Sequence, residues 1–101
     1  MITRIVKLSF SKEDVQSFYE EFNAVKHKVI AFPGCIEMKL LEHPDSGVFF
    51  TVSRWENEDA LEAYRISSTF TSLWAKIKPL FSARAEAWTL TSVYEGAQEN
   101  S

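Results

Sequence analysis

Few side chains in this sequence could move a proton, hold a metal or act as a nucleophile near neutral pH. Its two histidines, His27 and His43, lie far apart and share no helical or strand spacing that would make a metal site. Cys35 is the single cysteine, which excludes an intrachain disulfide and a cysteine zinc cluster. It follows Pro33-Gly34 with nothing basic beside it to lower its pKa, so it reads as a small buried residue. The chemistry on offer is aromatic and cationic instead. Trp55, Tyr64, Phe70 and Trp74 fall within one stretch of the second half, with Arg54 just before it and Arg84 just after. Each also has a plainer reading. Phe70, Leu73, Trp74 and Ile77 have the spacing of a core stripe, and Trp55 could simply pack in a core or a dimer contact. Tyr64 could keep its hydroxyl at a helix surface. Arg84 opens a strand, where a solvated or ion-paired arginine is the default.

These residues must be positioned by a regular set of elements. Residues 2–10 (ITRIVKLSF) are rich in β-branched side chains and partly alternate, predicting a first strand. Ser11 and Asp14 have capping-box spacing, with Phe10 and Val15 placed as a hydrophobic staple. Val15, Phe18, Phe22, Val25 and Val29 then recur at helical steps until Pro33-Gly34 ends the helix. Two strands follow over 35–43 and 48–55, joined by Pro44-Asp45-Ser46-Gly47, with glycine suited to the positive φ of the turn. Alternation places Met38 and Leu40 on one side of the first of these and Cys35 and Leu41 on the other.

Asn57 is placed to cap the next helix, with Glu58 and Asp59 favouring its dipole and Leu61 and Tyr64 on one face. Ser67-Ser68 interrupt it. A further helix is expected over about 69–81, its last turn bent or shortened by Pro79. Residues 83–94 read as the last strand, and 95–101 as a polar tail. The order β-α-β-β-α-α-β predicts one α+β domain over 1–94, with a ferredoxin-like four-stranded antiparallel sheet and helices on one face. The strands carry apolar residues on both faces, and helices can cover only one. The second face therefore calls for a partner, most simply another copy of the same sheet in a homodimer.

A length of 101 residues, 46% apolar and 25% charged, suits a single folded core. The formal net charge of −3, with basic residues scattered among acids, argues against a nucleic-acid-binding surface. No apolar run approaches a bilayer span, and the first ten residues lack a signal-peptide core. The expectation is a soluble cytoplasmic protein with no membrane partner.

Phe32-Pro33-Gly34-Cys35, then a strand, then Arg54-Trp55-Glu56-Asn57-Glu58 leading into Ala60-Leu61-Glu62-Ala63, resemble the antibiotic biosynthesis monooxygenase (ABM) family. Ser67-Ser68-Thr69-Phe70 and the Trp88-containing last strand look like it too, so the resemblance covers about residues 2–94. It implies a dimeric α+β barrel and oxidation of a small phenol or hydroquinone by oxygen with no metal, flavin or other cofactor. An electron-rich aromatic, once deprotonated, can itself reduce oxygen; the protein shields it, orients it and hydrogen-bonds the anion. By that resemblance Tyr64 and Trp55 are the candidate catalytic residues. Phe70 and Trp74 become substrate-binding walls, and Arg54 or Arg84 the partner of an oxyanion. This chain departs from the family at two places: many members carry histidine where it has Tyr64, and often another near Thr69. An unperturbed tyrosine titrates near 10 and is no base at neutral pH.

Other functions on this frame remain open. A small-molecule-binding or stress-response dimer would keep the fold without the chemistry. A haem-binding or haem-degrading relative needs an axial ligand, usually histidine, where this chain offers Trp74. An RNA-recognition module shares the βαββαβ order, but the acidic charge, the missing glycine-aromatic signature and the long 57–82 segment argue against it.

Overall fold

A computed structural model describes residues 1–98; the last three residues of the expected polar tail, 99–101, lie outside the described residues. Strands β1 (Ile2–Ser9), β2 (Cys35–His43), β3 (Val48–Trp55) and β4 (Glu86–Thr91) form one sheet in the order β2-β3-β1-β4. All three strand pairings are antiparallel. Helices α1 (Val15–Ile30), α2 (Glu58–Arg65) and α3 (Ser68–Ile77) accompany it, giving the ferredoxin-like α+β arrangement.

The sheet's register sorts its side chains. Ile2, Arg4, Val6 and Leu8 of β1 stand beside Trp55, Ser53, Thr51 and Phe49 of β3 on the helix side. Two buried clusters sit there. Leu8, Phe10, Phe18, Phe49 and Ile77 form one, and Ile2, Trp55 and Leu61 form the other. The first ties α1 and α3 to the middle of the sheet; the second ties α2 to the far end of β3. Ile5, Val52, Phe50, Leu41, Trp88 and Leu90 point the other way, where no helix covers them. Leu41, Trp88 and Leu90 are exposed there.

Most boundaries follow from local chemistry. Asn57 Oδ1 accepts from the Ala60 N–H at 2.9 Å and starts α2. Ser67 Oγ accepts from the Phe70 N–H at 3.3 Å and starts α3. The 44–47 connection holds Asp45 and Gly47 at φ of 57° and 75°. Pro79 falls in a 3-10 turn, Lys78–Leu80, which finishes the third helical segment three residues beyond α3.

Three expectations are corrected. At Ser11 the hydroxyl donates to Asp14 Oδ2 at 2.9 Å and caps no backbone N–H; a 3-10 turn, Lys12–Asp14, precedes α1. The last strand is shorter than 83–94, because β1 offers β4 partners only from Ile2 to Lys7. Cys35 does not oppose Met38. A bulge between Cys35 and Glu37 adds one residue, so Cys35 pairs with Trp55 and Met38 with Ser53, both on the helix side. One inserted residue flips the alternation, and Cys35 joins the Trp55 cluster.

Candidate functional site

Between the helix side of the sheet and the helices lies a cavity of about 300 Å³, at the small end of the usual range for small-molecule sites. It exists because the inward residues of the sheet shrink away from Leu8 and Phe49. Thr51 and Ser53 on β3, then Ala85 and Ala87 at the β4 end, leave room that the helices do not fill. Tyr64, Phe70, Leu73 and Trp74 close it from above.

The aromatic wall is continuous. Trp55 stacks on Tyr64 (centroids 4.9 Å, planes 28° apart), and Phe32 meets both rings edge-on. Tyr64 meets Phe70 edge-on at 5.3 Å, and Phe70 stacks on Trp74 at 5.6 Å. Trp55 is fully buried, with its indole N–H donating to Ser53 Oγ at 3.0 Å. It does not itself line the cavity; it reaches it only through Tyr64 and Ser53. Burial pushes the Tyr64 phenol up to about 12, with a smaller contribution from the nearby Cys35 thiol. Tyr64 is therefore a neutral hydrogen-bond donor at physiological pH and no general base. Burial raises the Cys35 thiol as well, which keeps it unreactive.

Among the residues expected from sequence, Tyr64, Phe70 and Trp74 come together on this cavity. The two arginines do not. Arg54 alternates with Ser53 and Trp55, so it emerges on the opposite face, paired with Glu37 and Glu95 at 2.8 Å each. Arg84 is exposed in the segment before β4; its neighbour Ala85 lines the cavity. The cation inside is Arg4, on the central strand. It donates to Thr89 Oγ1 at 2.7 Å, and Arg65 at the end of α2 lines the same space. Burial first, then the charge of Arg65, lower the Arg4 pKa, while Glu62 opposes the shift.

Sequence reasoning missed this pair although a signal existed. Arg4 falls in the apolar phase of its strand, with Ile2, Val6 and Leu8, and Arg65 lies four residues after the buried Leu61 of α2, although Arg65 itself is exposed. Among the described residues, no His, Cys, Asp or Glu lines the cavity. Among the described residues, no three such side chains are grouped as a metal set, and no helix is long and apolar enough to cross a membrane.

The sequence profile of the antibiotic biosynthesis monooxygenases matches residues 1–75. The chain belongs to the ABM family. Solved structures agree on the fold. Rv0793 from Mycobacterium tuberculosis superposes with a TM-score of 0.87 at 19% identity, over 95% of this chain and 98% of that one. An antibiotic biosynthesis monooxygenase superposes at 0.85 and 19% identity, over 93% and 100%. A variant of SnoaB from Streptomyces nogalater, described as a cofactor-independent oxygenase, superposes at 0.81 and 16% identity, over 93% and 94%. No curated protein matches the chain. The ABM profile spans the first three strands, α1, α2 and all but the last two residues of α3, hence the cavity's walls except Ile77 and those contributed by the β4 end.

Proposed function

We propose that this ABM-family chain is a cofactor-independent monooxygenase that oxidises a small phenol or quinol with molecular oxygen, working as a homodimer. The observation that carries the reading is the aromatic-walled cavity of about 300 Å³ in an ABM fold, with Tyr64, Thr51 and Ser53 as its neutral polar lining. Such a space suits an electron-rich ring, which stacks and packs against Phe70 and Trp74 while water is excluded.

The chemistry needs little from the protein beyond position and electrostatics. The phenol loses its proton to solvent and the phenoxide gives an electron to oxygen; the phenoxyl radical and superoxide combine at a ring carbon, and the peroxide takes up a proton. The hydroperoxide then loses water to leave a quinone. In sum, a phenol and O₂ become a quinone and water. Tyr64, held protonated by burial, donates a hydrogen bond to the developing oxyanion. Trp55 acts as a positioning residue: stacked beneath Tyr64 and tethered to Ser53, it fixes the phenol's orientation. Arg54 belongs to the uncovered face, where its pairs with Glu37 and Glu95 accompany an apolar patch built from Ile5, Phe50, Val52 and Trp88. That patch is the surface on which a second copy would dock.

Oxygen uptake by purified, metal-free and flavin-free protein tests the reading, against a panel of naphthohydroquinones and polycyclic phenols corrected for autoxidation. A saturable rate is expected, reduced about a hundredfold in Tyr64→Phe, the size of effect typical for loss of one oxyanion donor. No saturable uptake across the panel, or an unchanged rate in Tyr64→Phe, defeats it.

A further inference from the structure

The two arginines of the cavity each make one contact with the fold, Arg4 with Thr89 across the strands and Arg65 with Glu62 along α2. Arg4 projects from the central strand into a mostly apolar space whose lining includes Val6, Leu8, Leu73 and Trp74. Taking a guanidinium partly out of water in such a place is unfavourable unless an anion or a full set of acceptors meets it. Among the described residues Arg4 has no carboxylate partner, and the one hydrogen bond it makes goes to a neutral hydroxyl, Thr89 Oγ1. A guanidinium offers five N–H donors, so most of its capacity is open.

The second cation sharpens the point. Arg65 lines the same cavity and is close enough for its charge to be felt at Arg4. Two like charges facing one void repel. Arg65 is partly offset by Glu62 at 3.3 Å, one helical turn back and outside the cavity lining. Arg4 feels the same Glu62 charge at longer range but, among the described residues, has no ion pair. The protein as a whole carries a net charge of −3, yet among the described residues its cavity is lined by two arginines and no acid. The neighbouring hydroxyls of Ser53 and Thr51 can donate to an anion as well.

From this juxtaposition we infer that the cavity takes an aromatic carboxylate, its ring against Tyr64, Phe70 and Trp74 and its acid group on Arg4, with Arg65 assisting. The inference rests on the proposed monooxygenase reading only for the fate of the ring, which is then a phenolic or quinol acid. The binding of the acid stands apart from turnover. A carboxylate accepts two parallel N–H bonds from a guanidinium, which gives orientation as well as affinity. An acid group anchored on Arg4 fixes which ring carbon faces the Tyr64 end of the wall.

Calorimetric titration of the full chain with naphthoate and with its neutral counterpart naphthamide, at neutral pH and low salt, tests it. The acid should bind at least about tenfold more tightly than the amide, as expected for a charge-assisted hydrogen-bonded pair. Arg4→Met should abolish that preference while leaving the amide's affinity within about twofold. Arg4→Lys, which keeps the charge, should retain most of it. Removing a remote surface charge, Lys28→Met, should leave the preference intact, and thermal melts report whether each variant is folded. Equal affinities in the native chain, a preference that survives Arg4→Met, or binding of neither probe at millimolar concentration would each overturn the proposal. Oxygen uptake separates it from the catalytic reading. Acid preference without turnover sinks the monooxygenase alone, and turnover of neutral quinols without acid preference sinks the aromatic acid alone.

Discussion

Gly34 → Ala probes the join between the end of β3 and α2, which sets where Tyr64 stands. Gly34 has φ +88°, a region that an L side chain occupies at a cost of about 1–2 kcal/mol. A Cβ added there would also strike the Ala60 Cβ on α2, in a segment held by the Glu56 N–H donating to the Gly34 carbonyl at 2.9 Å. Overpacking of this kind costs about 1–3 kcal/mol, so the two effects together come to about 3 kcal/mol. For a domain of this size that lowers Tm by about 10–20 °C. The two contributions can be separated. Ala60→Gly in the same chain relieves the clash but not the backbone strain, at a helix-propensity cost of about 1 kcal/mol. A double-mutant cycle by chemical denaturation should therefore show favourable coupling of about 1–2 kcal/mol between the sites. A Tm change below about 3 °C in Gly34→Ala, or additive effects in the cycle, would refute the close approach as the reason glycine is needed.

Two further expectations concern the site and the uncovered face. The Tyr64 phenol titrates near 12 when folded against 10 unperturbed, so the folded chain holds that proton more tightly. The associated stability is fully present below about pH 10 and is lost as pH rises towards about 12, a change on the order of 2 kcal/mol. Tyr64→Phe should flatten that part of the alkaline denaturation profile; parallel profiles would contradict the burial argument. On the outer face, Ile5 of the central strand sits between Val52 and Trp88. Light scattering should give twice 11.6 kDa for the native chain and the single-chain mass for a still-folded Ile5→Glu. A native monomer would exclude the docking surface.

Local chemistry made much of the scaffold legible. Helical spacing from Val15 to Val29, the Asn57 cap and the Pro44–Gly47 turn each act over a few residues, so the elements they start, build or join could be read from neighbours alone. The aromatic wall was partly legible for the same reason. Tyr64, Phe70 and Trp74 lie on consecutive helices whose faces follow from periodicity.

The arginines were not legible in that way. Arg54 beside Trp55 suggested a shared pocket, but strand alternation sends neighbours to opposite faces, and only the pairing of β3 with β1 and β2 shows which face meets the helices. The same pairing turns Arg4 inward, and its partner in the cavity, Arg65, is sixty-one positions away in the chain. A single-residue bulge at Cys35–Glu37 then reverses the phase of β2, which no propensity reveals. Periodicity and caps determined the elements, because those forces are local. The cavity, its cations and the side of each strand depend on contacts between distant segments, and only the tertiary structure decides them.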